Sequence, residues 1–346
     1  MADKQMAIDA SINDFFQRSG LTSRDRLECN KFIERLYPGR LVSPASCQGY
    51  CSLTIFVGDD TVIQFRTHSY RLDLRITDAA REVYGTFAPE TTYLATLPES
   101  GLDVYYMGRI AGVSFKLFRA SEALIAGSTH QRIELCKDFA TFLAKSWLNG
   151  NTEDLPLGQV GKSLVNRLKS LATDLPSRFQ PAVRDVLRNF HRIEGLPWVL
   201  THGDIVAANI MVHSSTGRLT GLVDWAEAER LPFGTCLYGL EEILGEMTTA
   251  GFRYHEDAEE LRALFWTELQ RCVTDLEQNS VLDAVRLARD LGVLLWHGIA
   301  FDNGAINRVV QEGRDVEEIQ KLDAFLDLSR HKRCGLDFQN VIGINT

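Results

Sequence analysis

The chain has 346 residues, enough to bury a large core and to form two lobes rather than one. An apolar share of 45% and a charged share of 24% are ordinary for a globular protein. A formal net charge of −9 argues against a general nucleic-acid binder and against attraction to an anionic membrane surface. The seven cysteines, Cys29, Cys47, Cys51, Cys136, Cys236, Cys272 and Cys334, are odd in number and scattered, which suits a reducing compartment. Cys47 and Cys51 have no second Cys/His pair at zinc-site spacing, so no metal is expected there. Residues Met1 to Met6 hold no apolar signal core, and no run approaches ~18 apolar residues. The expectation is a cytoplasmic protein.

Residues 5–19 and 23–36 read as two helices, the second capped by Thr22 or Ser23 and stopped before Pro38-Gly39. A β-rich stretch follows. Ser52–Val57 is a strand, Gly58-Asp59-Asp60 a hairpin turn, and Thr61–Arg66 the partner strand. Alternation puts Gln64 and Arg66 on one face and Ile63 and Phe65 on the other. Thr77-Asp78 can cap a helix that carries Glu82 and ends near Phe87. Val104–Met107 is a further strand, and Gly108–Gly112 a connector.

From Ser114 the chain reads as mainly helical, with periodic segments at 131–148, 162–172 and 181–191. Gly158-Gln159-Val160-Gly161-Lys162-Ser163 ends like a phosphate-binding loop. The glycine that motif needs five residues before Gly161 is Pro156, however, and no strand precedes it, so the segment is a helix start. Short strands are expected near 198–200, 210–212 and 219–223, with turn chemistry at Ser214-Ser215-Thr216-Gly217. Helices follow at 236–248, 257–275, 281–300 and 315–329, and the tail from Gly335 is loose.

The chemistry is concentrated in Thr201-His202-Gly203-Asp204-Ile205-Val206-Ala207-Ala208-Asn209 and in Val223-Asp224-Trp225. An Asp and an Asn stand five residues apart, and a second Asp lies twenty residues after the first. That layout suits phosphoryl transfer: one carboxylate handles the proton of an attacking hydroxyl, while an amide oxygen and another carboxylate hold magnesium against nucleotide phosphates. The side chains fall on a loop between strands and at a strand exit, where a β scaffold can hold them.

With these residues together, the sequence resembles the aminoglycoside phosphotransferase and choline kinase family, the small-molecule relatives of protein kinases. The resemblance implies an α+β, bilobal, protein-kinase-like fold with a small β-rich N-lobe and a larger, mainly helical C-lobe. The expected divisions are N-terminal helices at 1–39, the N-lobe at 40–110, the C-lobe at 111–334 and the tail at 335–346. The implied activity is transfer of a phosphoryl group from ATP, with Mg2+, to a hydroxyl of a small molecule. Asp204 would be the catalytic base, Asn209 and Asp224 the magnesium ligands, and His202 the residue that orients the loop.

By the same resemblance, Ser43–Tyr50 stands where the glycine-rich turn over the phosphates belongs, with Gly49 its one glycine. Gln64 stands where the family lysine is expected, and Arg66 could supply the cation one pleat further on. Glu82 is the candidate helix glutamate, and backbone groups near Met107 would meet the adenine edge. Acceptor contacts are expected from Glu227, Trp296, His297 and Asp302. Two alternatives are a pseudokinase-like binding protein without turnover and a kinase-fold enzyme with altered transfer chemistry. Gln64 and the sparse glycine turn favour the first, and the intact Asp204, Asn209 and Asp224 oppose it.

Overall fold

The structure, a computed structural model, describes residues 2–46, 48–120, 122–149, 154–302 and 305–326. Cys47, Cys334, the end of the helix expected at 315–329 and the tail 335–346 lie outside the described residues. The chain forms two compact units: Met1–Ala123 with Ala208–Glu227, and Leu124–Ala207 with Ala228–Thr346.

It opens with α1 (Ala2–Arg18) and α2 (Ser23–Leu36). The Asp25 carboxylate accepts the Thr22 N–H at 2.7 Å, which fixes the start of α2 at the expected cap. Each helix buries one stripe, Ile12, Phe15 and Phe16 on α1 and Cys29 and Ile33 on α2. Next come β1 (Val42–Pro44), β2 (Ser52–Val57), β3 (Thr61–Arg66), α3 (Leu74–Tyr84), β4 (Thr91–Thr96) and β5 (Asp103–Gly108). The strands form one antiparallel sheet in the order β1-β2-β3-β5-β4. Gly58, at φ +62°, makes the turn from β2 to β3, in the left-handed region where glycine is favoured.

The stripes of α1 and α2 pack with Leu53, Ile55, Val57, Ile63, Phe65 and Val104. Because strand side chains alternate, covering Ile63 and Phe65 sends Gln64 and Arg66 to the opposite face. Strand β4 went unrecognised in the sequence, being an edge strand whose residues are largely exposed. Helix α3 starts earlier than expected. Asp73 caps it by accepting the Arg75 N–H at 3.1 Å, and Thr77 is buried within its first turns.

The chain continues through β6 (Val113–Ser114), α4 (Phe115–Arg119), α5 (Glu122–Leu148), α6 (Leu164–Asp174), α7 (Gln180–Arg188), α8 (Phe190–Glu194), β7 (Trp198–Thr201), β8 (Ile210–Val212), β9 (Leu219–Leu222) and β10 (Glu229–Pro232). In the first unit β6, β8 and β9 make a small antiparallel sheet; in the second, β7 pairs with β10. After these come α9 (Gly239–Leu244), β11 (Gly245–Thr248), β12 (Gly251–Tyr254), α10 (Ala258–Cys272), α11 (Asn279–His297), β13 (Ile299–Asp302), β14 (Ala305–Val309) and α12 (Val316–Phe325).

The helix expected at 236–248 is therefore broken into a 3-10 turn at Thr235–Tyr238, the short α9, and β11 of a hairpin. The helix expected at 281–300 stops at His297, where β13 begins its pairing with β14. Helix α11 is the centre of the second unit. Its Gly292 lies so close to the Thr235 carbonyl that a Cβ there would collide with it. Glu241 is buried between Arg289 and Arg262, at 2.5 and 2.6 Å, and their positive charges overcome the burial cost and hold its carboxyl down at about 2. The α+β class is as expected: an antiparallel five-stranded sheet in the first unit and a mainly helical second unit. No helix among the described residues is long and apolar enough to cross a membrane.

Candidate active site

In the first unit the β8–β9 hairpin carries Asn209 and Asp224 to its open end. Ile210 stands opposite Leu222, and the Val223 N–H donates to the Asn209 carbonyl at 3.0 Å, so pairing continues one residue past the strands. Asp224 follows at φ +65°, the one non-glycine residue in the left-handed region among the described residues. Such strain persists only where the surroundings impose it, and it clusters at functional sites. The Asp224 side chain is 46% exposed, whereas that of Arg66 is 3% exposed.

Arg66 reaches Asp224, with Nη2 3.4 Å from Oδ1. Its Nη1 donates to the Tyr70 carbonyl at 3.2 Å and its Nε to Gln64 Oε1 at 3.0 Å. Gln64 in turn donates to Thr54 Oγ1 at 3.2 Å. A guanidinium buried this deeply needs such partners. Gln64 thus supports Arg66, and Arg66 is the cation that meets Asp224.

Glu82, the candidate helix glutamate, does not face Arg66. Helix α3 buries Thr77, Ala80, Val83 and Tyr84, which turns Glu82 to the exposed side. The helix meets the Asp224 turn through aromatic rings instead. Tyr84 lies 4.9 Å from Trp225, whose Nε1 donates to the Leu222 carbonyl at 2.9 Å. Glu227 is exposed, at the end of the 3-10 turn Trp225–Glu227.

Gly49 lies in the loop between β1 and β2, exposed, and a Cβ there would meet only Ser52 Oγ at 3.7 Å, an ordinary contact. The loop is fixed by buried Gln48, which donates to the Ala45 and Thr54 carbonyls at 3.3 and 3.2 Å and accepts the Thr54 N–H at 2.6 Å. Met107 stands within β5, opposite Val62 and Thr91. The donors just after it are committed, the Gly108 N–H to the Glu90 carbonyl and the Arg109 N–H to the Asp60 carbonyl, both at 2.9 Å.

In the second unit His202 is buried, and its Nδ1 accepts the Asp204 N–H at 3.2 Å. Gly203, at φ +76°, makes that tight turn possible. Asp204 itself is half-buried. The loop beyond it is pinned twice. Ile205 N–H donates to the buried Tyr238 hydroxyl at 3.1 Å, and Ala207 N–H to Glu242 Oε2 at 3.4 Å. Lys321 holds Glu242 Oε1 at 3.0 Å. Burial, with the Asp204 charge nearby, pushes the Tyr238 hydroxyl well above its ordinary value, so it stays neutral. These supports went unrecognised because they lie 33 and 35 residues from the groups they hold, within a run that reads as plain apolar helix.

Glu229 explains the loop that imitates a phosphate-binding motif. It is buried, and its carboxylate accepts the N–H groups of Val160 and Gly161 at 3.0 and 2.7 Å. A Cβ at Gly158 would collide with it, and one at Gly161 would collide with the Arg230 carbonyl beside it. The glycines cradle an anion, and that anion is the protein's own carboxylate.

Trp296 stacks on Tyr238 at 5.4 Å and 11°. His297 is buried edge-on to Tyr238 and Phe325, at 5.9 and 5.1 Å, with Nε2 unpartnered among the described residues. Burial first, then the charges of Lys321 and Arg289, hold its pKa well below the ordinary value, so the ring is neutral. Asp302 is engaged by Arg308 at 2.6 Å and Arg314 at 3.5 Å, which holds its carboxyl below the usual range. A cavity of about 630 Å³ opens in this unit, with Leu237, Glu241, Trp266, Arg286 and Arg289 among its lining. Trp296, His297 and Asp302 do not line it.

Within the first unit, then, Gln64, Arg66 and Asp224 form one hydrogen-bonded cluster, Asn209 adjoins it through the backbone pairing of the hairpin, and Glu82 is exposed. Asn209 and Asp224 offer an amide and a carboxylate oxygen, the hard donors that fit magnesium.

Residues 65–233 match the phosphotransferase enzyme family (APH). No curated protein matches the sequence significantly. Among solved structures, the chain is similar to the GDP complex of aminoglycoside 2'-phosphotransferase-IIIa, at 12% identity over 77% of this chain and 98% of that one, with a TM-score of 0.45. It is similar to aminoglycoside-3'-phosphotransferase of type VIII at 16% identity over 76% and 97%, with a TM-score of 0.46. For aminoglycoside phosphotransferase APH(3'')-Id from Streptomyces rimosus the values are 12%, 76%, 98% and 0.46.

Proposed function

Because residues 65–233 belong to the phosphotransferase enzyme family, we propose that this protein transfers the γ-phosphoryl group of ATP, with magnesium, to a hydroxyl of a small molecule. The observation that carries this reading is the Arg66–Asp224 pair at the open end of the hairpin that bears Asn209. The pair supplies a cation and one hard oxygen ligand, and the Asn209 amide on the adjoining hairpin residue would supply a second, the parts a metal-bound triphosphate needs.

Asp204 orients the acceptor hydroxyl and takes its proton as the new O–P bond forms and the bond to ADP breaks. The loose transition state asks for positioning and charge neutralisation more than for a strong base. His202, Tyr238 and Glu242 keep the Asp204 loop in shape through its backbone N–H groups. Asn209 and Asp224 would hold the magnesium, which when bound neutralises charge on the β- and γ-phosphate oxygens. Arg66 contributes positive charge beside those oxygens. The base–amide spacing that joins Asp204 to Asn209 is a feature of the sequence.

A nucleotide-binding protein without turnover is the second reading. It is favoured by Gln64 in the lysine position and by the engagement of Arg66 with Gln64, Tyr70 and Asp224. Incubation with ATP or GTP, magnesium and a panel of amino alcohols, aminoglycosides and other secondary-metabolite alcohols, read by product mass, separates the readings. The expected outcome is a product heavier by one phosphate. A gain of a whole nucleotide would mean altered transfer chemistry, and bound nucleotide without any product would support the second reading.

A further inference from the structure

We infer that the cavity of the second unit is a binding site for a small zwitterion with an aromatic body, of the aromatic amino-acid class, and that it is separate from the Asp204 loop. The site is independent of the phosphotransferase reading.

The cavity, of about 630 Å³, lies wholly within the second unit, and its size suits a small molecule. Helices α10 and α11 supply most of its lining. The stretch Thr235–Leu244 serves both the cavity and the catalytic loop, but with different residues. Tyr238 and Glu242 accept the N–H groups of Ile205 and Ala207, whereas Leu237, Leu240 and Glu241 line the cavity. Adjacent residues of a helical turn point in different directions. Residues 201–209, Asp204 included, are absent from the lining.

The lining is rich in charge, and most of it is closely paired. Arg289 and Arg262 hold Glu241 at 2.5 and 2.6 Å. Arg262 also holds Glu259, and Arg289 holds Asp290, both at 2.8 Å. Asp185 pairs with Arg188 at 3.2 Å. Asp283 is different. One of its oxygens stands 3.8 Å from Arg286 Nη1 and the other 4.0 Å from Arg192 Nη2, beyond hydrogen-bond reach. It accepts no hydrogen bond among the described residues, and Arg286 donates none. The Arg286 guanidinium lies over the Trp266 ring, 5.5 Å from its centre. Arg192 donates to the Ser280 carbonyl at 3.3 Å. All three charged side chains are partly exposed, so these loose pairs add little to stability and open readily.

A ligand that fits such a group carries both signs. A plain anion would meet Asp283, and a plain cation would meet two guanidiniums. A carboxylate between Arg192 and Arg286, with an ammonium on Asp283, satisfies all three through charge-assisted bonds. Trp266, beside Arg286, offers a face for an aromatic ring, and Leu237 and Leu240 add apolar surface. An aromatic amino acid joins these parts in one small molecule.

Calorimetry on the full chain tests this with three probes that share an indole: L-tryptophan, indole-3-propionate, which lacks the ammonium, and tryptamine, which lacks the carboxylate. L-Tryptophan is expected to bind at least ~tenfold more tightly than either of the others. Asp283→Asn should weaken L-tryptophan roughly tenfold and leave indole-3-propionate no weaker. Arg286→Gln should weaken L-tryptophan by a similar factor and leave tryptamine no weaker. No binding of L-tryptophan at millimolar concentration would overturn the inference. So would equal affinity for either singly charged probe, or indifference of the folded variants to both substitutions. Should Arg286→Gln not fold, Arg192→Gln faces the same probes, with the same outcomes counting for and against. Asp204→Ala should bind L-tryptophan as the parent does, and loss of binding there would overturn the separate site. A chain that binds L-tryptophan in this way but transfers no phosphoryl group would overturn the phosphotransferase reading alone.

Discussion

Two regions whose acids stand twenty residues apart in the sequence are held by different physics. The Asp204 loop, in the second unit, is fixed through its backbone by buried partners: His202, the neutral Tyr238 hydroxyl, and Glu242 backed by Lys321. The Asp224 turn, in the first unit, is held by a strained left-handed residue and an ion pair to Arg66, with the carboxylate half in solvent. Buried backbone bonds are costly to lose and fix a geometry; an ion pair with one solvated partner exchanges cheaply. A proton-handling group gains from the first kind of support. A group that must accept and release a metal with each nucleotide gains from the second.

The sharpest way to break this comparison is to remove the two acids separately. Asp204→Ala should cut turnover at least ~100-fold while ATP affinity stays within about threefold, since the loop's own bonds use backbone groups. Steady-state rates beside calorimetry check both halves, and equal turnover by variant and parent would remove Asp204 from the proton role. Asp224→Ala should instead weaken magnesium-dependent ATP binding about tenfold or more. In EDTA it should not weaken binding, because Arg66 is released to the phosphates. A variant whose magnesium dependence matches the parent's would place the ion elsewhere.

Smaller changes probe the buried support. Tyr238→Phe keeps the ring stacked on Trp296 but leaves the Ile205 N–H without its acceptor, which should cost about 1–3 kcal/mol of stability. Denaturant unfolding measures that, and turnover should fall severalfold with it. No loss of stability would mean that the hydroxyl does not hold the loop. The smallest effect concerns acid. The pKa of His297 is lowered in the folded protein, so the unfolded chain takes up the proton first as pH falls below its ordinary 6.5. This contribution is present above that pH and is lost below it. His297→Leu should therefore lose less melting temperature than the parent between about pH 7.5 and 5.5. Equal losses would place the acid sensitivity in other groups.

How much of this the sequence disclosed depended on the range of the interactions. The β2–β3 hairpin was legible residue by residue, because strand alternation and the Gly58 turn are local signals. The β8–β9 hairpin and its Asp224 exit were legible for the same reason. Alternation also put Gln64 and Arg66 on one face, but where the Arg66 guanidinium ends is decided by the distant Asp224 and Tyr70. Glu82 misled because helix position alone does not tell which side of α3 is buried. The segment 236–248 reads as helix by its apolar content. In the fold Gly239 is pressed against Ile205, and Gly245 turns extended to begin a strand. Nothing near Glu229 in the sequence marks it as buried; its two N–H donors, Val160 and Gly161, come from a remote loop.

The central claim is that this chain moves the γ-phosphoryl group and that Asp204 handles the proton. The most direct measurement follows ATP labelled with heavy oxygen in its γ-phosphoryl group, with magnesium and an acceptor from the alcohol panel, in parent and Asp204→Ala side by side. The expected result is label in the parent's product as one phosphoryl group, with at least ~100-fold slower transfer by a variant that still binds ATP. Label arriving equally fast with the variant, or a product carrying the nucleotide itself, would contradict the account.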